Sequence, residues 1–260
     1  MNFNLSHIPE RTAGNRDYGL TMMMDKGLSL KEAEHFVDSS APYTDLVKFG
    51  FGTALITRDL KEKVKLYQEA GLKPYFGGTL FEMFFVRDRF EDYRRFVSES
   101  GLKVVEVSDG TIRMEHEEKL KCIELLAAEF QVLSEVGSKV KGVELSNEKW
   151  VSMMKAELET GSWKVIGEAR ESGTIGLYQS DGSANRALID DIMKVISVND
   201  VLWEAPNKGQ QAMFIQMLGA NVNLGNIAPH EVVSLEALRC GMRGDTFFDV
   251  LPEEFHSRKL

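Results

Sequence analysis

The sequence predicts a single α/β domain folded as a (β/α)8 barrel, the TIM-barrel architecture. Three observations support this prediction. The chain has 260 residues, and one such barrel needs about 250. Short apolar runs alternate with amphipathic stretches of helical period, the pattern of parallel strands joined by helices. Eight of the apolar runs end in a polar residue or in glycine, and the carboxyl ends of barrel strands carry the active site.

The eight predicted strand endings follow one another at even intervals. They are Met22–Lys26, Leu46–Lys48, Pro74–Gly78, Val104–Asp109, Leu133–Glu135, Val165–Glu168, Leu202–Glu204 and Asn221–Asn223. Buried parallel strands are normally apolar throughout, so terminal charges lower core stability and are tolerated where they converge on a ligand. We therefore expect one polar mouth. A doubly wound open sheet is the alternative fold, but no GxGxxG motif follows the first strand.

The stretches between the runs carry helix signals. Ser29 and Glu32 form a capping box before the first helix, and Asp59 begins the second, which stops at Gly71. Further helices are expected near 89–100, 115–129 and 146–159, with Gly101, Gly161 and Gly219 at left-handed caps and Pro229 opening the last helix.

No linker or low-complexity tract divides the chain. We predict one domain over residues 1–260, with 1–17 as an N-terminal extension and 240–260 as a C-terminal tail. Long connections at Gly137–Leu145 and Gly173–Asn185 follow the fifth and sixth strands. A loop that closes over the site would lie there.

Composition excludes several classes of function. A net charge of −9 argues against nonspecific nucleic-acid binding, which needs a basic face. No apolar stretch reaches the length of a membrane span, the N-terminus has no secretory pattern, and Cys122 and Cys240 lack metal-ligand spacing. We expect a cytoplasmic protein without nucleic-acid or membrane partners, and homo-oligomerisation is left open.

Acidic residues dominate the predicted mouth. Asp25, Glu106, Glu135, Glu168 and Glu204 must be protonated, paired or neutralised by a metal if they meet in a dry site. Oxygen-only ligands favour Mg²⁺ over zinc, so the four glutamates are the metal-ligand candidates. The alternative is an ion-pair network with Lys26, Lys48, Lys139 and Arg170.

Lysine is the expected acid–base residue, because none of the five histidines adjoins a strand ending. Lys48 and Lys139 are the candidates, since a lysine pKa shifts readily in a dry site. Phosphate sites of barrels favour the last two strand loops. The expected substrate contacts are Asp25, Lys26, Lys208, Gln210, Gln211, Asn223, Asn226 and Arg243, beside glycine-rich segments at 50–53, 76–79 and 223–226.

At these segments the sequence resembles the phosphosulfolactate synthase family. The resemblance runs in order through Gly19–Leu28, Val47–Thr53, Gly77–Glu82, Val105–Gly110, Glu135–Gly137, Glu168–Gly173, Glu204–Pro206, Gln210–Gln211, Val222–Ile227 and Leu238–Thr246. It departs where Phe51 stands for a usual tryptophan, Phe76 for a proline and Ser138 for a lysine.

The resemblance implies a Mg²⁺-dependent barrel lyase that adds sulfite to phosphoenolpyruvate. The product would be 2-phospho-3-sulfolactate, in methanogens the first step of coenzyme M biosynthesis. Sulfite attack pushes charge into the substrate carboxylate, so a Mg-stabilised enediolate would form. Lys139 would then protonate the carbon that bears the phosphate, while Lys48, Arg170 and the other cations offset the anions. The alternatives are a lysine-dependent aldolase using Lys48 and a non-catalytic, stress-related relative.

Overall fold

Strands and helices alternate along the chain, as predicted. The computed structural model describes residues 2–137, 145–169, 176–179 and 182–260. The strands are β1 (Thr21–Asp25), β2 (Leu46–Phe49), β3 (Lys73–Phe76), β4 (Val104–Ser108), β5 (Gln131–Val136), β6 (Ser162–Gly167), β7 (Val201–Glu204) and β8 (Asn223–Ile227). The helices are α1 (Leu30–Ser40), α2 (Leu60–Glu69), α3 (Gly78–Phe85), α4 (Phe90–Glu99), α5 (His116–Ala127), α6 (Asn147–Thr160), α7 (Arg186–Met193), α8 (Lys208–Leu218) and α9 (Val232–Arg239).

All eight strands lie parallel in one sheet of order β3-β2-β1-β8-β7-β6-β5-β4. The sheet curls into a nearly closed barrel with β3 beside β4, which confirms the (β/α)8 prediction. The Gly78 amide, at the start of α3, donates a hydrogen bond to the Glu106 carboxylate of β4. The gap between the two end strands, which we call the seam, is therefore bridged through a side chain.

Strand alternation divides the core into two parts. Inside the barrel, the lower layer consists of Leu20, Met22, Leu46, Tyr75, Val104, Leu133, Ile166 and Leu202. Residues of the opposite parity, such as Met23, Val47 and Val165, pack outward against the helices. Side chains two apart share a strand face. The next interior layer toward the carboxyl ends therefore holds Lys48, Glu106, Glu135, Glu168 and Glu204, each two residues after a lower-layer residue.

The helix signals read from the sequence are largely confirmed. Ser29 and Glu32 form the predicted capping box before α1, and Gly101, Gly161 and Gly219 have φ values of +72°, +127° and +91°. Asp59 precedes α2 but its side chain makes no capping hydrogen bond. The sequence analysis missed α3. This helix begins at Gly78, within the glycine pair that was interpreted as an anion-binding turn.

The predicted position of the eighth strand was wrong. The sequence placed its end at Asn221–Asn223, whereas β8 begins at Asn223 and continues to Ile227. Asn223 is fully buried. Its Oδ1 accepts from the Leu20 amide at 3.0 Å, and its Nδ2 donates to the Asn199 and Val201 carbonyls at 2.9 Å. Leu20 directly precedes β1, Asn199 precedes β7 and Val201 is the first residue of β7, so Asn223 lies at the amino end of the barrel.

A buried arginine closes the same end. The Arg239 guanidinium donates to the carbonyls of Ala220 at 2.8 Å, Val222 at 2.6 Å and Leu20 at 3.1 Å. Burial lowers the pKa of Arg239 to about 9. Arg239 therefore supports the barrel floor, on the side opposite the strand endings.

Candidate active site

Lys48 is the centre of the polar layer. Its Nζ lies 3.0 Å from Glu106 Oε1, 3.2 Å from Glu204 Oε1 and 3.6 Å from Glu135 Oε2. The lysine side chain is 7% exposed, and those of the three glutamates are 2% exposed or less. Lys48, Glu106, Glu135, Glu168 and Glu204 together form what we call the mouth cluster.

The charge state of Lys48 follows from these neighbours. Burial opposes the charged form, but the carboxylates of Glu106, Glu204 and Glu135 outweigh it and raise the lysine pKa well above its ordinary value. Lys48 is therefore an ammonium ion at neutral pH, surrounded by acceptors. It can hold carboxylates and anions in place, but it is not poised to act as a neutral nucleophile.

Three of the acids can reach one ion. One carboxylate oxygen from each of Glu135, Glu168 and Glu204 lies within 4.8 Å of the others. Hard divalent cations bind oxygen at about 2.0–2.6 Å, so oxygens around a shared ion are separated by roughly 3–5 Å. The donors are all carboxylates, which suits Mg²⁺ better than zinc or copper. The residues present thus fit the predicted metal: Glu135, Glu168 and Glu204 would be its ligands, while Glu106, the fourth predicted candidate, is held by Lys48 and by the Gly78 amide.

Glycine at position 78 is required by close packing at the seam. A Cβ there would lie 2.4 Å from Ser108 Cβ and 2.7 Å from Glu106 Oε1. A Cβ at Gly77 would lie 3.1 Å from Lys48 Cε. The sequence suggested that these amides approach a bound anion. In the structure the anion at Gly78 is the Glu106 carboxylate of the protein itself.

Glu82, which sequence analysis did not single out, also lies at the seam. It is 2% exposed. Its Oε1 lies 2.8 Å from Ser108 Oγ and accepts from the Thr111 amide at 3.2 Å, and its Oε2 accepts from the Thr111 hydroxyl. Ser108 Oγ also lies 2.8 Å from Glu135 Oε1. Glu82 is the only acid in the apolar segment of α3, and that isolated charge is the signal that could have identified it.

Behind β4 and β5 lies a second buried ion cluster. The Lys119 ammonium of α5 is fully buried and donates to Asp109 Oδ1 at 2.8 Å and to the Glu135 carbonyl at 2.6 Å. It also pairs with Glu157 of α6 at 2.9 Å. His116 Nε2 lies 3.3 Å from the same Glu157 oxygen. This cluster fixes the carboxyl ends of two strands without facing the mouth.

Asp25 was expected at the mouth, but the structure turns it toward α2. Its Oδ2 lies 2.6 Å from Lys63 Nζ and accepts from the Tyr67 hydroxyl at 2.8 Å. Its Oδ1 accepts from the amides of Gly27 and Leu28 at 2.9 Å. The side chain stabilises the turn after β1, because Asp25 has the outward parity of Met23 within its strand.

The remaining predicted substrate contacts are dispersed. Lys208, at the start of α8, pairs with Asp245 at 3.0 Å. Gln210 completes a capping box with Asn207, and Gln211 donates to the Ala205 carbonyl at 3.2 Å. Lys26 is exposed just after β1, Arg243 is half-buried after α9, and Asn226 is buried near the end of β8. Their substrate roles stay predictions, as do those of Asp25 and Asn223.

Two predicted catalytic residues, Lys139 and Arg170, lie outside the described residues. Both belong to the connections after β5 and β6, which the sequence suggested as covering loops. Their roles stay predictions from the sequence. None of the five histidines belongs to the mouth cluster, and His116 contacts Glu157 of the second buried ion cluster.

The fold and site define a (β/α)8-barrel protein whose acidic mouth surrounds one buried lysine. A family model described as (2R)-phospho-3-sulfolactate synthase (ComA) matches residues 9–245. The chain is 41% identical to the phosphosulfolactate synthase of Bacillus subtilis, with 95% of this chain and 100% of that protein covered. It is 42% identical to the phosphosulfolactate synthase of Methanocaldococcus jannaschii, with coverage of 88% and 94%.

The chain therefore belongs to the phosphosulfolactate synthase family, whose members are carbon–sulfur lyases. Among solved structures, 3-hexulose-6-phosphate synthase from Salmonella typhimurium is similar, with a TM-score of 0.57, 14% identity and coverage of 85% of this chain and 98% of that one. At that identity the likeness concerns the barrel fold alone.

Proposed function

We propose that this protein adds sulfite to phosphoenolpyruvate and gives 2-phospho-3-sulfolactate, with Mg²⁺ as cofactor. The mouth cluster is the observation that supports this proposal. In this member of the family, three carboxylates that can share one cation lie beside a buried ammonium ion. Bound Mg²⁺ would stabilise negative charge that develops on the substrate carboxylate. Glu135, Glu168 and Glu204 would hold it.

The protein's own residues have distinct parts in this proposal. Lys48 keeps Glu106, Glu135 and Glu204 in one layer and offsets anionic charge beneath the substrate. Lys139 delivers the proton to the carbon that bears the phosphate, and Arg170 with Lys26 and Arg243 offsets phosphate and sulfite. Such positioned charge acts strongly because the site is largely dry.

The test is direct incubation with phosphoenolpyruvate, sulfite and Mg²⁺, with product detection by mass spectrometry. A product mass equal to the sum of the two substrates, absent when sulfite is omitted, supports the proposal. A Glu204→Gln variant is the matched control, because it keeps the side-chain shape and removes the charge. Unchanged phosphoenolpyruvate under all conditions contradicts the proposal.

The alternative activity is a Schiff-base aldolase at Lys48. Schiff-base formation needs a neutral amine, and the raised pKa of Lys48 opposes that form. Borohydride trapping with a carbonyl substrate distinguishes the two activities, because the sulfite addition needs no such adduct.

Location and partners extend the proposal. No helix in the described part of the chain is long and apolar enough to cross a membrane. A cytoplasmic location and small anionic substrates as partners, rather than nucleic acid or membrane, are part of what we propose. Association between copies of the chain stays open.

A further inference from the structure

Asn226, near the carboxyl end of β8, combines two unfavourable features. Its φ is +59°, a left-handed conformation in which the Cβ of most residues crowds the backbone. Its side chain is 7% exposed, and its Oδ1 has no hydrogen-bond partner among the described residues. Buried acceptors are normally hydrogen-bonded, so each exception needs a reason.

Asn226 lies against the acidic side of the mouth cluster. The preceding residue, Gly225, is in register with Glu204. The Asn226 Nδ2 faces the Ala169 carbonyl at 3.5 Å. The Ala169 amide donates to Glu204 Oε2 at 2.8 Å, and Ala169 directly follows Glu168. The asparagine therefore shares its immediate neighbours with two of the three clustered glutamates.

The contact with Ala169 also orients the amide group. A carbonyl accepts from Nδ2, so the Oδ1 atom is left as a neutral, hard oxygen donor. Amide oxygens of this kind bind Mg²⁺ and Ca²⁺ beside carboxylates. Strained backbone persists at positions where the site needs it.

We propose that the Asn226 Oδ1 is a ligand of the divalent cation held by Glu135, Glu168 and Glu204. This inference rests on the proposed metal site and deepens it by adding a neutral fourth ligand. It explains why a strained, buried asparagine occupies a position whose backbone conformation favours glycine.

The test compares substitutions at Asn226 with a matched control. Asn226→Gly removes the oxygen and relieves the backbone, so the metal-free protein should melt about 1–4 °C higher while its affinity for Mn²⁺ falls about tenfold or more. Asp88→Gly is the control, because Asp88 has a φ of +56° and is exposed. It should gain similar stability and keep the wild-type Mn²⁺ affinity.

Asn226→Asp separates a ligand from a structural role. As a ligand, aspartate supplies an oxygen at the same place and keeps or raises Mn²⁺ affinity. If Asn226 only donates to the Ala169 carbonyl, aspartate loses that hydrogen bond and gives no gain in binding over glycine. Free Mn²⁺ is measured by electron paramagnetic resonance, with Mg²⁺ as competitor.

An unchanged Mn²⁺ dissociation constant in Asn226→Gly would overturn the inference. If the KM for phosphoenolpyruvate rose in that variant at the same time, Asn226 would be a substrate contact and not a metal ligand. The dissociation constant is measured without turnover, so a wild-type protein that binds the ion but forms no sulfonated product would contradict the proposed function alone.

Discussion

The Lys119 ammonium donates to the main-chain carbonyl of Glu135 at 2.6 Å. A buried cation in the helical layer thereby holds the strand end from which a mouth carboxylate projects. The same ammonium also donates a hydrogen bond to Asp109, just beyond β4. The geometry of the mouth cluster thus depends on a residue that lies outside the barrel interior.

Removing the Lys119 ammonium should destabilise the protein. Lys119→Met leaves the Glu157 carboxylate buried without its ammonium partner, and breaking a buried pair costs about 3–5 kcal/mol. Adding Glu157→Gln should restore much of the stability, because no uncompensated carboxylate then remains. Urea denaturation of both variants measures this, and equal stability of the single and double variants would contradict it.

The same pair predicts a pH window. Burial opposes both charges, but the Lys119 ammonium lowers the pKa of Glu157 below its ordinary 4.5. The carboxylates of Glu157 and Asp109 raise the pKa of Lys119 above 10.5. The contribution of ionised Glu157 to folding stability is present above pH 4.5 and is lost as the pH falls through the lower pKa of Glu157 in the folded state. The contribution of charged Lys119 is present below pH 10.5 and is lost as the pH rises through the higher pKa of Lys119 in the folded state. The stability difference between wild type and the double variant should therefore be flat between these limits. A steep change near neutral pH would contradict it.

Gly78→Ala should damage the seam. The new Cβ would meet Ser108 and Glu106, and overpacking of this kind costs about 1–3 kcal/mol. Gly209→Ala in α8 is the matched control, since no atom lies within 4 Å of its added Cβ. Thermal melting should show a loss only for Gly78→Ala, together with lower activity. Full stability in that variant would mean that the seam can widen freely.

Activity should depend on Mg²⁺. EDTA should abolish product formation and added Mg²⁺ should restore it, because Glu135, Glu168 and Glu204 are spaced to share one ion. Glu204→Gln should raise the Mg²⁺ concentration needed for half-maximal activity. Full activity after exhaustive chelation would favour the alternative, an ion-pair network.

Lys139→Ala should lower turnover by about 10²–10⁴-fold, the usual contribution of a positioned proton donor, while phosphoenolpyruvate binding stays nearly normal. Lys48→Ala should weaken binding as well, because its ammonium holds three carboxylates of the mouth cluster. Steady-state kinetics and calorimetric binding separate the two effects. Wild-type turnover and product stereochemistry in Lys139→Ala would make that residue a solvated loop charge.

The sequence predicted the barrel well because its evidence is local and repeated. Apolar runs that end in charge placed Lys48, Glu106, Glu135, Glu168 and Glu204 in one layer. Asp25 was misplaced because a charge at a strand end does not reveal which strand face it occupies. Asn223 was misplaced because the polar residues of β8 conceal where that strand begins.

Residues that act across elements were harder to find. Glu82 and Lys119 lie on helices, and their importance comes from contacts with Ser108 and with the Glu135 carbonyl. No periodicity in one sequence encodes such contacts between distant segments. An isolated charge on an apolar helix face was the available signal, and in Glu82 it was present.

The two-residue alternation of the strands also determines which length changes the protein can tolerate. Each mouth carboxylate of β4, β5 and β7 stands two positions after a lower-layer residue, Val104, Leu133 or Leu202. Deleting one residue within such a strand would rotate its glutamate from the barrel interior into the apolar layer beneath the helices. Insertions and deletions should therefore accumulate in the connecting loops, while these strand segments keep a fixed length.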